Sequence, residues 1–367
     1  MDEESKALLH LSLTKGIGSA TYRALHERFG SASAILNARK TDLGDIPGIG
    51  PKLADELARS RDSVDIDKEL ALAQEHGVNI IPCTHQHYPQ NLKAIYDPPL
   101  VLYIKGEINP KDVLSIAIVG SRRCSYYGQS QSKRLARLLG QSGFTIVSGL
   151  ARGIDTAAHQ GALESDARTI AVMGCGLGRV YPRENRELAE RISCQGAVVS
   201  ELPMLTPPNE KNFPPRNRLI SGLSLGVVVV EAGQRSGALI TAHWALEQGK
   251  EVFAVPGQVD SPYSRGTNRL LKEGAKLVED LNDIIEELGP LAETLSIDEK
   301  EDIQDPRSLA LNSQEKKLFS LLSSRPKTID EITEESQLPA ANVASTLMIL
   351  EIRKLVKQLS GKRFVKA

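Results

Sequence analysis

Several absences narrow what this chain can be. Nowhere in its 367 residues is there a run approaching the roughly 18–20 apolar residues that a membrane-spanning helix needs. The N-terminus, Met1-Asp2-Glu3-Glu4, is acidic, and no signal-peptide core follows it. No membrane association is expected, and a cytoplasmic location is. The four cysteines (Cys83, Cys124, Cys175, Cys194) lie far apart with no CxxC pair, so a zinc site or disulfide framework has no support. No metal or cofactor is expected. Net charge is only −1, so a nucleic-acid site has to be a local basic patch offset by acid elsewhere. The GxGxxG dinucleotide fingerprint is missing as well, along with an acidic ribose ligand.

What is present is the composition of a globular protein, 41% hydrophobic and 25% charged, and a length that suggests two or three domains. Residues 1–62 read as short helices around two Gly-Ile-Gly turns, Lys15-Gly16-Ile17-Gly18 and Gly48-Ile49-Gly50-Pro51-Lys52, which look like an internal repeat. A connector, 63–112, carries the Pro-marked segments His87-Tyr88-Pro89 and Tyr96-Asp97-Pro98-Pro99. Across 113–280, apolar runs of strand length alternate with helical patterns. The run Val227-Val228-Val229-Val230 has no polar alternation, as expected for a strand covered on both faces. This region predicts an α/β fold, a Rossmann-like doubly wound, mostly parallel sheet. Residues 281–308 are acidic and read as a solvated linker with one helical turn. In 309–367, three helices and a hairpin turning at Ser360-Gly361 suggest a winged-helix-like domain.

The chemistry gathers where strands end. Ser115–Val119 runs into Gly120-Ser121-Arg122, a turn expected to expose backbone N–H groups to an anion, with Arg122 adding a bidentate phosphate contact. On this loop alone, backbone phosphate, free nucleotide and a plain tight turn are equally good readings. The next strand ends at Ser148-Gly149-Leu150-Ala151-Arg152-Gly153-Ile154-Asp155. Asp155 and His159 stand one helical turn apart, and the preferred reading is that Asp155 caps the helix while His159 packs beside it. The third ends at a glycine-rich stretch leading to Tyr181, Arg183 and Asn185, suited to base stacking and phosphate contact. Arg216 and Arg218 open another helix, and the strand ending at Glu231 enters a further turn bearing Arg235, Ser236 and Gly237. In an open α/β sheet such loops converge on one crevice, so Arg122, Arg152, Arg183, Arg216, Arg218 and Arg235 are expected to share one rim.

In these stretches, from VGSR (119–122) and SGLARGIDTAAH (148–159) through GCGLGRVYPREN (174–185), FPPRNRLISGLS (213–224) and VVVVEAGQRSGALITAHWALEQGKEVFAVPG (227–257) to RGTNRLLKEGA (265–275), the chain resembles the DprA/Smf family. The flanking regions match that family's layout, with helix-hairpin-helix (SAM-like) elements in front and a winged-helix-like domain behind. The resemblance implies a non-catalytic protein that binds single-stranded DNA, loads the RecA recombinase in natural transformation and forms a homodimer through its Rossmann-like core. It also implies that Gly120, Ser121 and Arg122 grip phosphate. Further DNA contacts would fall on Arg152, Arg183, Asn185, Arg216 and Arg218, and on Ser236, Gly237 and Asn268. The competing reading is a Rossmann-like phosphoribohydrolase, but the expected PGGxGTxxE loop is replaced here by the turn that begins at Glu231.

The outer regions are less explicit. Backbone N–H groups of the Gly-Ile-Gly hairpins, beside Lys15 and Lys52, suit either phosphate binding or simple packing. The helix 339–353 is expected to present Asn342, Ser345 and Thr346, with basic residues only from Arg353 onward (Lys354, Lys357, Lys362, Arg363, Lys366). Non-specific DNA contact through the wing, or a protein contact, fits that pattern better than operator reading.

Overall fold

The computed structural model describes residues 1–44, 46, 48–294, 311–322, 327–352, 355–359 and 363–366. Residues 1–140 and 144–283 form one compact unit; 141–143 and 284–367 form another.

The first unit is built on a nine-stranded sheet: β1 (Val78–Pro82), β2 (Val101–Gly106), β3 (Ser115–Val119), β4 (Thr145–Ser148), β5 (Thr169–Val172), β6 (Ala197–Ser200), β7 (Gly226–Val229), β8 (Glu251–Ala254) and β9 (Lys276–Leu277). Their spatial order is β1-β2-β6-β5-β4-β3-β7-β8-β9. Neighbouring strands from β6 across to β9 pair in parallel, while β2 joins β6 and β1 antiparallel. Every residue of β3 to β7 is buried, because helices cover both faces, and this is why those runs lack polar alternation.

The chain lays down β3, β4, β5 and β6 in one direction, then returns to place β7 on the other side of β3. That reversal is the topological switch point. The loops after β3 and β7 diverge there to opposite faces and leave a crevice at the carboxyl edge. The expected doubly wound sheet is therefore present, and its switch lies at the Gly120-Ser121-Arg122 loop.

Two expectations about organisation change. The connector 63–112 supplies a helix, Ile66–Glu75, and the two antiparallel strands that extend the sheet at one edge. The N-terminal helices are not set apart: Leu8, Leu25 and Leu57 share a hydrophobic cluster with Tyr103, Met173, Ile192 and Met204. Their turns take the predicted form, with Gly16 (φ +89°) and Gly48 (φ +85°) in the left-handed region and Ile17 and Ile49 buried. Lys15 and Lys52 are exposed.

In the second unit, helices Ser313–Leu321, Ile329–Ser336 and Ala340–Ile352 pack with a three-stranded sheet formed by Lys327–Thr328, Val356–Leu359 and Arg363–Lys366. Capping boxes at Asn312/Glu315 and Thr328/Glu331 start the first two helices. Asn342 and Ser345 are exposed as expected, but Thr346 is buried at 6% because it falls one residue before Leu347 on the core side. The exposed side chains farther along that helix include Met348 and Ile349, which are apolar. The expected turn at Ser360-Gly361, and Arg353, Lys354 and Lys362, lie outside the described residues. In the segment expected to be an acidic linker, Asn282–Thr294 is a helix and 295–308 lies outside the described residues. None of the described helices is long and apolar enough to cross a membrane.

Candidate nucleic-acid interface

The crevice at the switch point has a volume of about 520 Å³ and is walled by the loops after β3 and β7 and by the helix Phe213–Leu223. Gly120, Ser121, Arg122, Arg216, Arg235, Ser236 and Gly237 all line it. Sequence reasoning placed these seven together, and the fold brings them together.

The loop after β3 is locked from below. Ser121 N–H donates to the Glu231 main-chain oxygen at 2.8 Å. The expectation that the loop's amides lie open to an anion is thus corrected at Ser121. A Cβ at Gly120 would fall 2.5 Å from the Ile154 side chain, so this glycine makes room for a neighbouring helix, not for a ligand. What the loop does offer is the Arg122 side chain. It is exposed, and its guanidinium stands 5.0 Å over the Phe213 ring, which fixes the direction of the charge. By contrast a Cβ at Gly237 would meet nothing within 4 Å, so the opposite wall is open.

Phe213 links this crevice to a second, smaller recess lined by Arg122, Arg152, Tyr181, Pro182 and Arg216. The Tyr181 and Phe213 rings stack with centroids 5.8 Å apart, giving two aromatic faces beside three arginines. Phe213 carries more of the geometry than its sequence motif suggested. Its position at the first turn of a helix whose fourth residue is Arg216 was the available signal.

Arg216 is the floor of the site, only 5% exposed. Its Nη1 donates to the Gly149 carbonyl at 2.9 Å and also to that of Val172, while Nε donates to Asn217 Oδ1 at 3.2 Å. Burial draws its pKa down to about 10, against the pull of Asp155. Gly149 is required here: a Cβ would sit 2.7 Å from the Arg216 guanidinium and 2.8 Å from the Asp155 carboxylate. Asp155 accepts the N–H groups of Gly149 and Ala151 at 3.2 and 3.3 Å, so it braces the preceding loop and does not cap its own helix. His159 turns to Thr169 at 2.8 Å, and the Thr169 hydroxyl donates its proton to the Ile146 carbonyl. The ring must therefore donate from Nδ1, and it makes no pair with Asp155. Burial pushes His159 down to about 3.

Burial pushes Asp155 up to about 6 from its ordinary 3.8, with Arg216 and the loop amides opposing it. The folded protein therefore holds this proton more tightly than the unfolded chain. The stability Asp155 contributes is full below pH 3.8 and is lost as pH rises through 6. Asp155→Asn should accordingly cost about 2–3 kcal/mol less at pH 7.5 than at pH 4, measured by urea unfolding of both proteins. A pH-independent cost would contradict the burial assignment.

The remaining predicted residues serve other ends. Arg152 is exposed at the edge of the smaller recess and paired with Glu184. Arg183 lies in a separate depression of about 610 Å³ with Arg179 and Arg186, on the far side of Tyr181. Asn185 is buried at 6%, donating to the Leu150 carbonyl (2.9 Å) and to Thr156 Oγ1 (2.8 Å). It holds Leu150 in the left-handed region (φ 55°), a costly conformation for a bulky side chain. Asn268 forms a reciprocal pair with the backbone of Gly257 and lines neither the crevice nor the smaller recess. Arg218 is buried against Glu201 and Asp97, also away from both. The single rim of six arginines is thus a correction: the large crevice collects Arg122, Arg216 and Arg235, with Arg152 at the adjoining recess and Arg183 beyond it.

Comparison with known proteins agrees with this architecture in all three regions. The family model described as DNA recombination-mediator protein A matches residues 79–289, the DprA winged helix domain matches 303–362, and a SAM-like helix-hairpin-helix tandem matches 8–60. Protein Smf of Synechocystis is 31% identical over 99% of this chain and 99% of its own. The X-ray structure of DNA processing protein A from Streptococcus pneumoniae is 33% identical, with a TM-score of 0.69 over 78% of this chain and 99% of that one. A structure of DNA processing protein A from Helicobacter pylori, described by its single-stranded DNA binding mode, is 32% identical with a TM-score of 0.51, covering 57% of this chain and 95% of that one. With a switch-point crevice of this form and a match that spans both the sheet unit and its two flanking modules, the chain belongs to the DprA/Smf family of DNA-processing, recombination-mediator proteins.

Proposed function

We propose that this protein grips the backbone of single-stranded DNA at the switch-point crevice, without chemistry on the strand, and delivers it to the RecA recombinase in the cytoplasm during natural transformation or homologous recombination. The observation that carries this reading is Arg122, an exposed guanidinium held over Phe213 at the mouth of a crevice floored by Arg216. Arginines neutralise phosphates, and the stacked Tyr181 and Phe213 rings offer sequence-tolerant faces for bases. The single-stranded DNA binding mode named for the Helicobacter pylori relative supports the same choice of ligand.

A phosphoribohydrolase reading needs a carboxylate free to act in the crevice. Glu231 is 3% exposed, and its carboxylate accepts from Ser125 N–H at 2.8 Å and Ser125 Oγ at 2.5 Å, so it serves as a brace for the loop. A homodimer through this unit is part of the proposal. Its surface would be the helix Ala238–Glu247, where Ile240 and Leu246 are exposed, with Leu277 on edge strand β9. The strand Glu251–Ala254 is flanked by strands on both sides and does not offer a free edge.

Titration of labelled single-stranded and duplex oligonucleotides, with and without RecA, tests the proposal. Single strands should bind more tightly, and affinity should fall with salt at a slope of about −0.7 per phosphate contacted, roughly −2 for three arginines. RecA should join the complex. Equal affinity for duplex, or a salt-independent constant, would refute it.

A further inference from the structure

Beyond the crevice, the geometry points to a second single-stranded-DNA subsite: the groove between helices Tyr126–Gln141 and Ile154–Glu164, which takes the strand as it leaves Arg122. The inference rests on the proposed function of the crevice.

The groove has a volume of about 700 Å³ and lies on the surface of the sheet unit, outside every residue assigned above to the crevice. Four features mark it as a track for a polyanion. First, its charge is lopsided: Lys133, Arg134 and Arg137 face a single carboxylate, Glu164, leaving a net charge of +2. Second, these charges are only partly used. Lys133 pairs with Glu164 at 2.6 Å, and Arg134 donates to Gln131 and to the Glu279 carbonyl. Arg137 is exposed and has no ion-pair partner among the described residues. Third, an aromatic stands at its head. Tyr126 is 87% exposed, while its neighbour Tyr127 is held by a hydrogen bond to the Pro256 carbonyl. Residues 126, 130, 133/134 and 137 recur every three or four positions and therefore share one helix face.

Fourth, the groove adjoins the crevice across a single stretch of backbone. Gly153 forms part of its wall, and a Cβ there would fall 2.5 Å from the Ser121 carbonyl and 2.8 Å from that of Arg122. The backbone of the phosphate-gripping loop thus separates one depression from the next, and Tyr126 follows Arg123 by three residues. From Tyr126 to Arg137 the helix rises about 16 Å at 1.5 Å per residue. At roughly 3.4 Å per phosphate in a stacked strand, that spans four or five nucleotides.

A protein segment is the weaker occupant. Apart from Tyr126, the groove is lined by polar and very small side chains, without the buried aliphatic anchor that protein interfaces concentrate at their centre. An exposed ring on which a base can stack, followed by spaced cations, is the pattern of single-strand binding.

The test compares oligothymidylates of six and twenty nucleotides by fluorescence anisotropy on the full chain. The double variant Tyr126→Ala/Arg137→Glu changes two exposed residues, so its thermal melting should match the parent. It should bind the six-mer within about twofold of parent but the twenty-mer about 10-fold more weakly. Its twenty-mer salt slope should be shallower by about 0.7–1.4. Arg122→Ala should weaken both lengths and serves as the independent reading of the crevice. If Arg122→Ala weakens both while the double variant binds the twenty-mer like the parent, the groove proposal fails and the crevice stands. If neither variant matters, both fail. Equal loss on both lengths would place the groove residues inside a single site, and loss of RecA capture with DNA binding intact would make it a protein surface; either overturns the inference.

Discussion

Arg122→Ala should lower the affinity for single-stranded DNA by about 10- to 100-fold, since a hydrogen bond to a charged group contributes about 1.5–3 kcal/mol and each 1.4 kcal/mol is tenfold. The loss should be the same for unrelated sequences, because a guanidinium on a phosphate carries no base information. The salt slope should become shallower by about 0.7. Folding should be almost unaffected. The side chain is exposed, and its contact with Phe213 contributes about 0.5–1 kcal/mol at such a site. Arg122→Lys should restore part of the affinity, because it returns the charge without the planar two-pronged donor. Anisotropy titrations of the three proteins at several salt concentrations check this. Unchanged affinity in the alanine variant would remove Arg122 from the site.

Arg218→Ala should do the reverse: destabilise the fold while leaving DNA affinity at the parental value. The Arg218 side chain is 10% exposed, and it pairs with Glu201 and, at 3.1 Å, with Asp97. Burial already pushes the Glu201 carboxyl up, and Arg218 is the group that holds it down. Removing the arginine leaves two carboxylates facing each other in a partly buried place, at a cost of about 3 kcal/mol. Part of that cost should vanish at acid pH, where Glu201 can take a proton. Urea unfolding, together with DNA titration well below the melting temperature, separates the two effects. A stable Arg218→Ala protein that has lost DNA binding would return this residue to the interface.

The contrast between Arg216 and Arg218 shows where sequence reading stops. Both belong to the same motif, and both were expected at the DNA. On a helix, however, residues two apart point about 200° away from each other. One side of Phe213–Leu223 faces the crevice and the other faces Asp97 and Glu201. Applied to the motif, helical periodicity would have separated them. Asn185 and Asn268 are a harder case. Their amides close loops through backbone partners 35 and 11 residues away, and nothing in the local pattern names those partners.

The chain by itself determined the strands β3 to β8, because runs buried on both faces show as unbroken apolar stretches. It also determined the alternation that makes the sheet parallel, whereas of the six arginines it set on one rim the crevice collects Arg122, Arg216 and Arg235. Its family motifs marked the order of the modules. Only the tertiary structure decided that β1 and β2 complete the sheet, since short strands separated by Pro-rich loops carry little periodic signal. It alone decided that the Ser121 amide is consumed by the Glu231 carbonyl while the Arg122 side chain stays exposed beside Phe213. Composition and spacing announce which groups are available for binding. Which of them remain unspent depends on partners brought in from distant parts of the chain, and that is settled only when the sheet closes around them.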